Sequence, residues 1–452
     1  MIGPARVAAY DILRGVSAGT VDLPTAIAAS RERLDDDRDR ALAAEIAAGV
    51  QRWRAALDFL IVHFSKRDLA RLDPEVVEIL RLSAYQLLHL TRVPASAIVD
   101  DAVKLTKRIR KTSASGLVNA VLRAISRHSG KLPLPPRPDE AANREAVLDY
   151  LSITLSHPRW LTSRWLERMA FARTERWLQF NNEPGPLTLR ANRLRATPAA
   201  VAGQLDADGV KVVPARFGPD ALLVQDGAAF KSLAFKQGLF LVQDEASQLV
   251  PLLAGSNPGA RVLDACASPG GKTTALASAM GNDSVLVACD VRDRRIDLLR
   301  RTVASSGATN VRIAQADLLK PLPFSEPFDC VLVDAPCSGL GTLRRDPDIR
   351  WRRTETDLDA FAAAQLVMLQ HASDVVRPGG RLIYATCSSE PEENEGVADA
   401  FLSGHRQFAE VNAAAAAPAL PREVIDARGH LRTTPDQHGL EAFFGAVFQR
   451  QT

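Results

Sequence analysis

From Gly259 to the C-terminus, short apolar runs alternate with helical segments, and this alternation limits the possible folds more than any other feature of the 452-residue chain. The runs are "RVLDACA", "SVLVACD", "VRIAQAD", "FDCVLVDAP" and "GRLIYATCS", with "FFGAVFQ" near the end. Strands that are apolar on both faces and separated by helices form a doubly wound parallel sheet, whose ligands sit beyond the carboxyl ends of the strands. Acids and thiols gather at those ends. Asp264, Asp290, Asp317 and Asp334 close four successive runs, Cys337 follows the fourth, and Cys387 closes the fifth. A single acid there could cap a helix, but four in register line one sheet edge with carboxylates. Such an edge suits a ligand with ribose hydroxyls, an amine and positive charge, and it repels phosphate.

The first strand leads into "VLDACASPGGKTTAL", Val262 to Leu276, which has the look of a phosphate loop. A Walker loop requires Gly-x-x-x-x-Gly-Lys-Ser/Thr, and Cys266 stands where its first glycine must be. The dinucleotide pattern Gly-x-Gly-x-x-Gly is also missing, because Gly270 and Gly271 are adjacent and followed by Lys272. A glycine pair after the first strand still lets backbone approach a ligand closely, and an acid about 20 positions later can hold ribose hydroxyls. Asp290 stands at that distance. A nucleotide hydrolase is therefore disfavoured, and an adenosine-containing ligand without exposed phosphates is expected.

Ahead of this domain, Ala5 to about His128 is rich in Ala, Leu and Arg, with apolar residues every three or four positions, as in "EVVEILRLSAYQLLHL" and "LVNAVLRAI". An all-helical bundle is expected over residues 1–130, broken near Pro74 and Pro94. Its basic run "KLTKRIRK" contains Lys104, Lys107 and Arg108, which read equally as a solvated helix face or as an RNA-facing one. A proline-rich linker is expected at 131–145, around "HSGKLPLPPRPDE". A small α+β module follows at 146–255, and the α/β domain occupies 256–452. Residues 151 to 200 carry eight Arg against three Glu and no Asp, with Trp160, Trp165 and Trp177 interleaved. That mixture suits an RNA surface, although Trp at helical spacing also suits a core.

The net charge of +3 is too small to argue for a polyanionic partner by itself, so local clusters have to carry that point. Arg344, Arg345, Arg350, Arg352 and Arg353 form such a cluster directly after Cys337, suited to phosphates or to pairing with Asp346 and Asp348. No apolar run reaches the length of a membrane helix and no signal peptide is evident, so a cytoplasmic location is expected. The five cysteines lack the close pairs of zinc sites and the density of disulfide scaffolds, so neither a metal nor a disulfide is expected. Cys289, Cys330 and the Cys266 side chain read as buried hydrophobes. Cys337 and Cys387 fall in small polar turns on the ligand edge. One chemistry that needs such a thiol is methylation of a pyrimidine at carbon 5, where a thiolate added to carbon 6 turns carbon 5 into a nucleophile. Either cysteine could serve. Lys272 is a candidate for favouring the thiolate.

The motifs "DACASPGGKT", "DAPCSGLGTLRRDPDIRW" and "YATCS" resemble those of the Nop/Sun family of RNA cytosine methyltransferases. The helical segment ahead resembles a NusB-type RNA-binding domain, and the fusion is similar to the Sun/RsmB-type branch of the family, as is "VQDEASQLV" at 242–250. The resemblance implies a NusB-like bundle, a small α+β module and a Rossmann-like class I methyltransferase domain. It implies S-adenosyl-L-methionine as cofactor and a cytosine of 16S ribosomal RNA, naked or in an assembling small subunit, as substrate; a monomer is expected. By position it implies Cys387 as nucleophile and Cys337 in product release. It places Cys266, Ala267, Ser268, Pro269, Gly270, Gly271 and Lys272 around the methionine portion, Asp290 on the ribose and Asp317 on the adenine amine. Asp334 falls on the cytosine edge or at the methionyl end. Ser268, Asp346 and "HGLEAFFGAVF" depart from the family pattern, and the last two put base or backbone contacts in question. A non-catalytic RNA-binding factor would be expected to lack one of these cysteines or acids, and DNA is the less favoured substrate beside a NusB-like domain.

Overall fold

Proline marks where several N-terminal helices begin. In the computed structural model, which describes residues 2–91, 93–139, 143–255, 258–281 and 284–452, Pro74 opens the helix Pro74–His89 and Pro94 caps Ala95–Arg108. Proline lacks an amide hydrogen that the first helical turn leaves unpaired anyway. With Pro4–Ser17, Leu23–Arg31, Asp37–Arg52, Arg54–Ser65 and Ser115–Arg127, these helices enclose a core that includes Leu13, Ile46, Leu60, Leu80, Val118 and Ile125. The helices approach closely at Gly49, where a methyl group would lie 1.9 Å from the Tyr85 ring. Glycine is required there by the space the ring fills.

The proline-rich stretch is docked onto this bundle. Leu132 and Leu134 pack against its core, and the Pro135 carbonyl accepts a 2.7 Å hydrogen bond from the Thr154 hydroxyl. Residues 140–142 of the expected linker lie outside the described residues. The helix Arg159–Asn182 follows, interrupted at Ala170 (φ 59°, ψ 171°). Trp165 is 0% and Trp177 4% exposed, with ring centroids 5.7 Å apart. These two tryptophans are core, and the reading of them as an RNA-stacking surface is corrected. One compact unit comprises residues 1–184 together with Leu343–Glu355.

The second unit comprises Gly185–Thr342 and Thr356–Thr452. It begins with an antiparallel sheet of β1 (Thr188–Ala191), β2 (Lys211–Pro214), β3 (Ala221–Asp226) and β4 (Phe240–Val242), in the order β2-β3-β1-β4. The helix Pro198–Ala207 packs on it through Val201 and Leu205 against Leu189, Leu222 and Phe240.

The larger sheet contains β5 (Arg261–Asp264), β6 (Val285–Asp290), β7 (Val311–Gln315), β8 (Phe328–Asp334), β9 (Val376–Thr386), β10 (Phe408–Val411), β11 (Leu431–Thr433) and β12 (Phe443–Arg450). Its order is β10-β12-β9-β8-β5-β6-β7, with β11 beside β12. The strands β5 to β9 run parallel, while β12 lies antiparallel to β9 and β10 antiparallel to β12. Crossovers run through helices Gly271–Met280, Asp293–Ser306 and Asp357–Asp374. After β7 the chain returns to the other side of β5. The direction of winding therefore reverses between β5 and β8, where such sheets open a crevice at their carboxyl ends. Among the described residues, no helix is long and apolar enough to cross a membrane.

Candidate active site

The crevice between β5 and β8 collects the strand-end acids in the order Asp334, Asp264, Asp290 and Asp317, on β8, β5, β6 and just beyond β7. After Asp264 the backbone turns through Cys266 to Gly270 and enters the helix Gly271–Met280. Gly270 holds φ +104°, and a Cβ there would come within 3.0 Å of Leu299 and 3.1 Å of Thr302, so the turn needs glycine. The loop is pinned to β6: the Ala267 amide donates to the Cys289 carbonyl at 2.8 Å, and the Ser268 amide to Asp290 at 3.2 Å. Asp290 accepts from the Val291 amide as well, at 2.8 Å. It therefore braces the glycine loop, a function that spacing alone did not reveal.

Arg190 on β1 supports the same loop from the neighbouring sheet. Its buried guanidinium donates to the Gly271 carbonyl and to the Thr274 hydroxyl, and burial lowers its pKa to about 10. Asp264 is fully buried; the Thr273 hydroxyl donates to one carboxylate oxygen at 2.7 Å, while the other is unpartnered. Burial pushes the Asp264 carboxyl up to about 7. A buried carboxylate oxygen beside a glycine turn fits a cationic, amine-bearing group, because an unpaired buried acceptor otherwise costs about 1–3 kcal/mol.

Lys272 and Asp334 face each other across the crevice, with Nζ 2.6 Å from the carboxylate, and the ammonium lies 5.7 Å from the centre of the Phe443 ring. Burial works against the ammonium. The charge of Asp334 and its hydrogen bond more than offset this, and negative charge on Cys387 adds to them, so the Lys272 pKa is raised. Lys272 thus carries a stable positive charge beside Asp334.

The sulfurs of Cys337 and Cys387 are 3.2 Å apart, on turns that leave the adjacent strands β8 and β9. The hydrogen bond to Cys387, then burial, then the charges of Cys387 and Glu393 raise the Cys337 pKa. The pair thus holds a proton on Cys337. By contrast, Cys289 and Cys330 are buried hydrophobes pushed up to about 12 by burial, and burial raises Cys266 too. The two turns are joined through backbone: the Gly341 amide donates to the Cys387 carbonyl at 3.0 Å. A Cβ on Gly341 would fall 2.1 Å from the Ala442 carbonyl oxygen. Asp317 accepts from the Leu319 amide at 3.0 Å and lies 3.8 Å from Lys320.

The basic candidates belong to the helical unit and separate by burial. Arg350 is fully buried, and its guanidinium donates to the carbonyls of Arg52, Ser156, Asn181 and Leu343 and to the Asn182 side chain, at 2.9–3.4 Å. Its assignment to RNA phosphate is withdrawn, because those donors are turned inward. Arg344 lies 4.2 Å from the centre of the Phe180 ring with its side chain 12% exposed. Arg352 is exposed and pairs with Asp348 at 3.2 Å; Arg345 and Arg353 are half-buried. Lys104 pairs with Asp100 at 2.5 Å, while Lys107 and Arg108 are exposed at the end of their helix.

Strand order, the glycine turn and the strand-end acids make the second unit a Rossmann-like methyltransferase domain. Residues 251–449 match the model of the "16S rRNA methyltransferase RsmB/F" family, residues 4–127 that of the NusB family, and residues 157–231 that of an RsmF/B-like ferredoxin-like domain. The chain is 30% identical over 411 residues to the probable ribosomal RNA small subunit methyltransferase B of Bacillus subtilis, covering 90% of each. It is 31% identical over 447 residues to ribosomal RNA small subunit methyltransferase B of Pseudomonas syringae pv. tomato, covering 98% of this chain and 96% of that one. The crystal structure of PH0851 superposes with a TM-score of 0.81 at 27% identity, covering 100% of this chain and 99% of that one. The chain belongs to the RsmB/F family of 16S rRNA methyltransferases.

Proposed function

We propose that this protein transfers a methyl group from S-adenosyl-L-methionine to carbon 5 of one cytosine in 16S ribosomal RNA, through a covalent bond between Cys387 and the base. The observation that carries the reading is the pair of thiols 3.2 Å apart at the ends of β8 and β9, beside the Lys272–Asp334 ion pair. The cofactor, when bound, supplies an electrophilic methyl group. Residues Cys266 to Lys272 hold its methionine portion, Asp290 its ribose hydroxyls and Asp317 its adenine amine; Asp334 lies at the methionyl end or on the cytosine edge.

The Cys387 thiolate adds to carbon 6 of the cytosine, and the electron pair released into the ring makes carbon 5 nucleophilic. After methylation the carbon 5 proton leaves, the double bond re-forms and the sulfur is expelled. Lys272 favours the attacking thiolate. Cys337, with its sulfur 3.2 Å from that of Cys387, assists the release step by passing its own proton to the departing Cys387 sulfur as it takes up the carbon 5 proton. The base has to be unpaired or drawn from its stack, at a cost of a few kcal/mol that phosphate contacts offset. Lys104, Lys107, Arg108, Arg344, Arg345, Arg352 and Arg353 are the proposed phosphate contacts; of these, Lys104 pairs with Asp100, Arg352 pairs with Asp348, and Arg344 lies over the Phe180 ring. We take the protein to act as a cytoplasmic monomer on naked RNA or on an assembling small subunit.

Bisulfite sequencing of ribosomal RNA from cells with and without the gene tests the substrate; a small-subunit cytosine should lose protection only when the gene is absent. Cys387→Ala should lower the methylation rate by at least about 1000-fold and form no covalent complex, whereas Cys337→Ala should accumulate one. Full activity in Cys387→Ala would overturn the assignment of the nucleophile.

A further inference from the structure

We infer that Glu393 is the positioning residue of the two-cysteine site: its buried carboxylate bridges Ser338 and Ser388, the residues that follow Cys337 and Cys387, and so sets the distance between the two sulfurs. The significance for catalysis rests on the function proposed above. The geometry does not.

Glu393 is 0% exposed and belongs to the acidic stretch "EPEENE" just after the Cys387 turn. One of its oxygens accepts from the Ser338 amide at 2.7 Å and from the Gln365 side chain at 3.0 Å. The other accepts from the Ser338 hydroxyl at 2.5 Å and from the Ser388 hydroxyl at 2.6 Å. One carboxylate thus ties the turn after β8, the turn after β9 and the helix Asp357–Asp374 together. The surroundings hold it in turn. Tyr384 donates to the Gln365 side chain at 2.9 Å and to the Glu393 carbonyl, and Asn394 donates to the Ser388 carbonyl at 3.0 Å.

A buried carboxylate is costly unless its acceptor sites are filled, and these four bonds fill them. Bonds to an ionised acceptor are roughly twice as strong as neutral ones, so the two turns are held more firmly than the 3.2 Å contact between the serine hydroxyls could hold them. An apolar residue at 393 would leave the Ser338 amide and both hydroxyls without this acceptor. Glu393 acts on the sulfurs through the two serine turns. A loosening of about 1 Å between reacting groups costs on the order of 100-fold in rate.

The test uses the purified full chain. Diamide, a thiol oxidant, takes two electrons and two protons from the Cys337 and Cys387 thiols as their sulfur–sulfur bond forms and is itself reduced to the hydrazine. The closure rate, read by mass spectrometry without RNA, reports how the sulfurs are held. Glu393→Ala should slow closure about tenfold and lower kcat for RNA methylation about 100-fold, with KM for S-adenosylmethionine unchanged. Glu393→Gln, which keeps an acceptor and the same shape, should recover most of both. Closure at the wild-type rate in Glu393→Ala would overturn the inference. So would a fall in kcat matched by equal losses in cofactor affinity and melting temperature, since that is a general loss of structure. If Glu393→Ala does not fold, the double variant Ser338→Ala/Ser388→Ala carries the test, and wild-type closure in it refutes the bridge. Closure needs no RNA, so an error in the substrate would leave this result intact.

Discussion

Two buried cations, Arg350 in the helical unit and Lys272 in the α/β unit, show how similar charges serve different ends. Arg350 is surrounded by backbone carbonyls and an asparagine side chain; its hydrogen bonds join the segment 343–355 to the helices of its own unit. Lys272 meets a carboxylate at 2.6 Å, beside a pair of thiols. Neutral carbonyl dipoles can solvate a cation without offering it anything to exchange. A carboxylate instead meets the cation with a full opposite charge, which raises the Lys272 pKa against the effect of burial. A buried cation is therefore structural or functional according to what solvates it.

The largest expected effect comes from breaking the structural member of the pair. Arg350→Met keeps an unbranched stem but leaves several inward-facing carbonyls without donors, and should destabilise the helical unit by about 3 kcal/mol. Thermal melting, with hydrogen exchange in the helices Asp37–Arg52 and Arg159–Asn182, would read this. S-adenosylmethionine affinity should not change. If stability holds and RNA affinity falls instead, Arg350 is a phosphate contact after all and the comparison fails.

Lys272→Met removes the cation to which the proposed function gives a role beside the thiols and should lower kcat about 100-fold, with a smaller loss of stability because its partner Asp334 is partly exposed. Alkylation of Cys387 by iodoacetamide near neutral pH, followed on its peptide, should slow about tenfold as the thiolate loses its nearby cation. Unchanged alkylation would mean that Lys272 serves only to hold Asp334.

This difference between the two cations was only half legible in the sequence. Strand ends carry a signal, because apolar runs stop at an acid or a small polar turn; that signal placed Asp264, Asp290, Asp317, Asp334, Cys337 and Cys387 on one sheet edge. The glycine turn could be read because φ +104° at Gly270 demands glycine. Burial of polar residues carries no such signal. Arg350 lies in a run of arginines that looks solvated, Trp165 and Trp177 alternate with arginine yet fill a core, and Glu393 hides in an acidic stretch. Each depends on contacts with residues far away in sequence. The strands β2, β10 and β11 escaped notice for a related reason: they are short, and β2 is largely exposed, so no apolar run marks it.

Asp264 lets the comparison be made from the side of the anion, with the smallest effect. Its neighbour Asp334 has a cation, whereas Asp264 has a threonine hydroxyl on one oxygen and an unpartnered second oxygen, and burial raises its carboxyl to about 7. An unfolded aspartate titrates near 3.9. Because the folded value is the higher, the stability this group contributes is full below about pH 4 and is lost as pH rises through about 7. One proton limits the slope to about 1.4 kcal/mol per pH unit, and solvent relaxation should bring it to about 1 or less. Asp264→Asn cannot ionise, so its stability should be flatter than wild type across that window in urea titrations at successive pH values. Equal slopes would mean that Asp264 is ionised in the folded protein and that Lys272 serves both acids, in which case the crevice holds a shared charge network and the pairing with Asp334 is not exclusive.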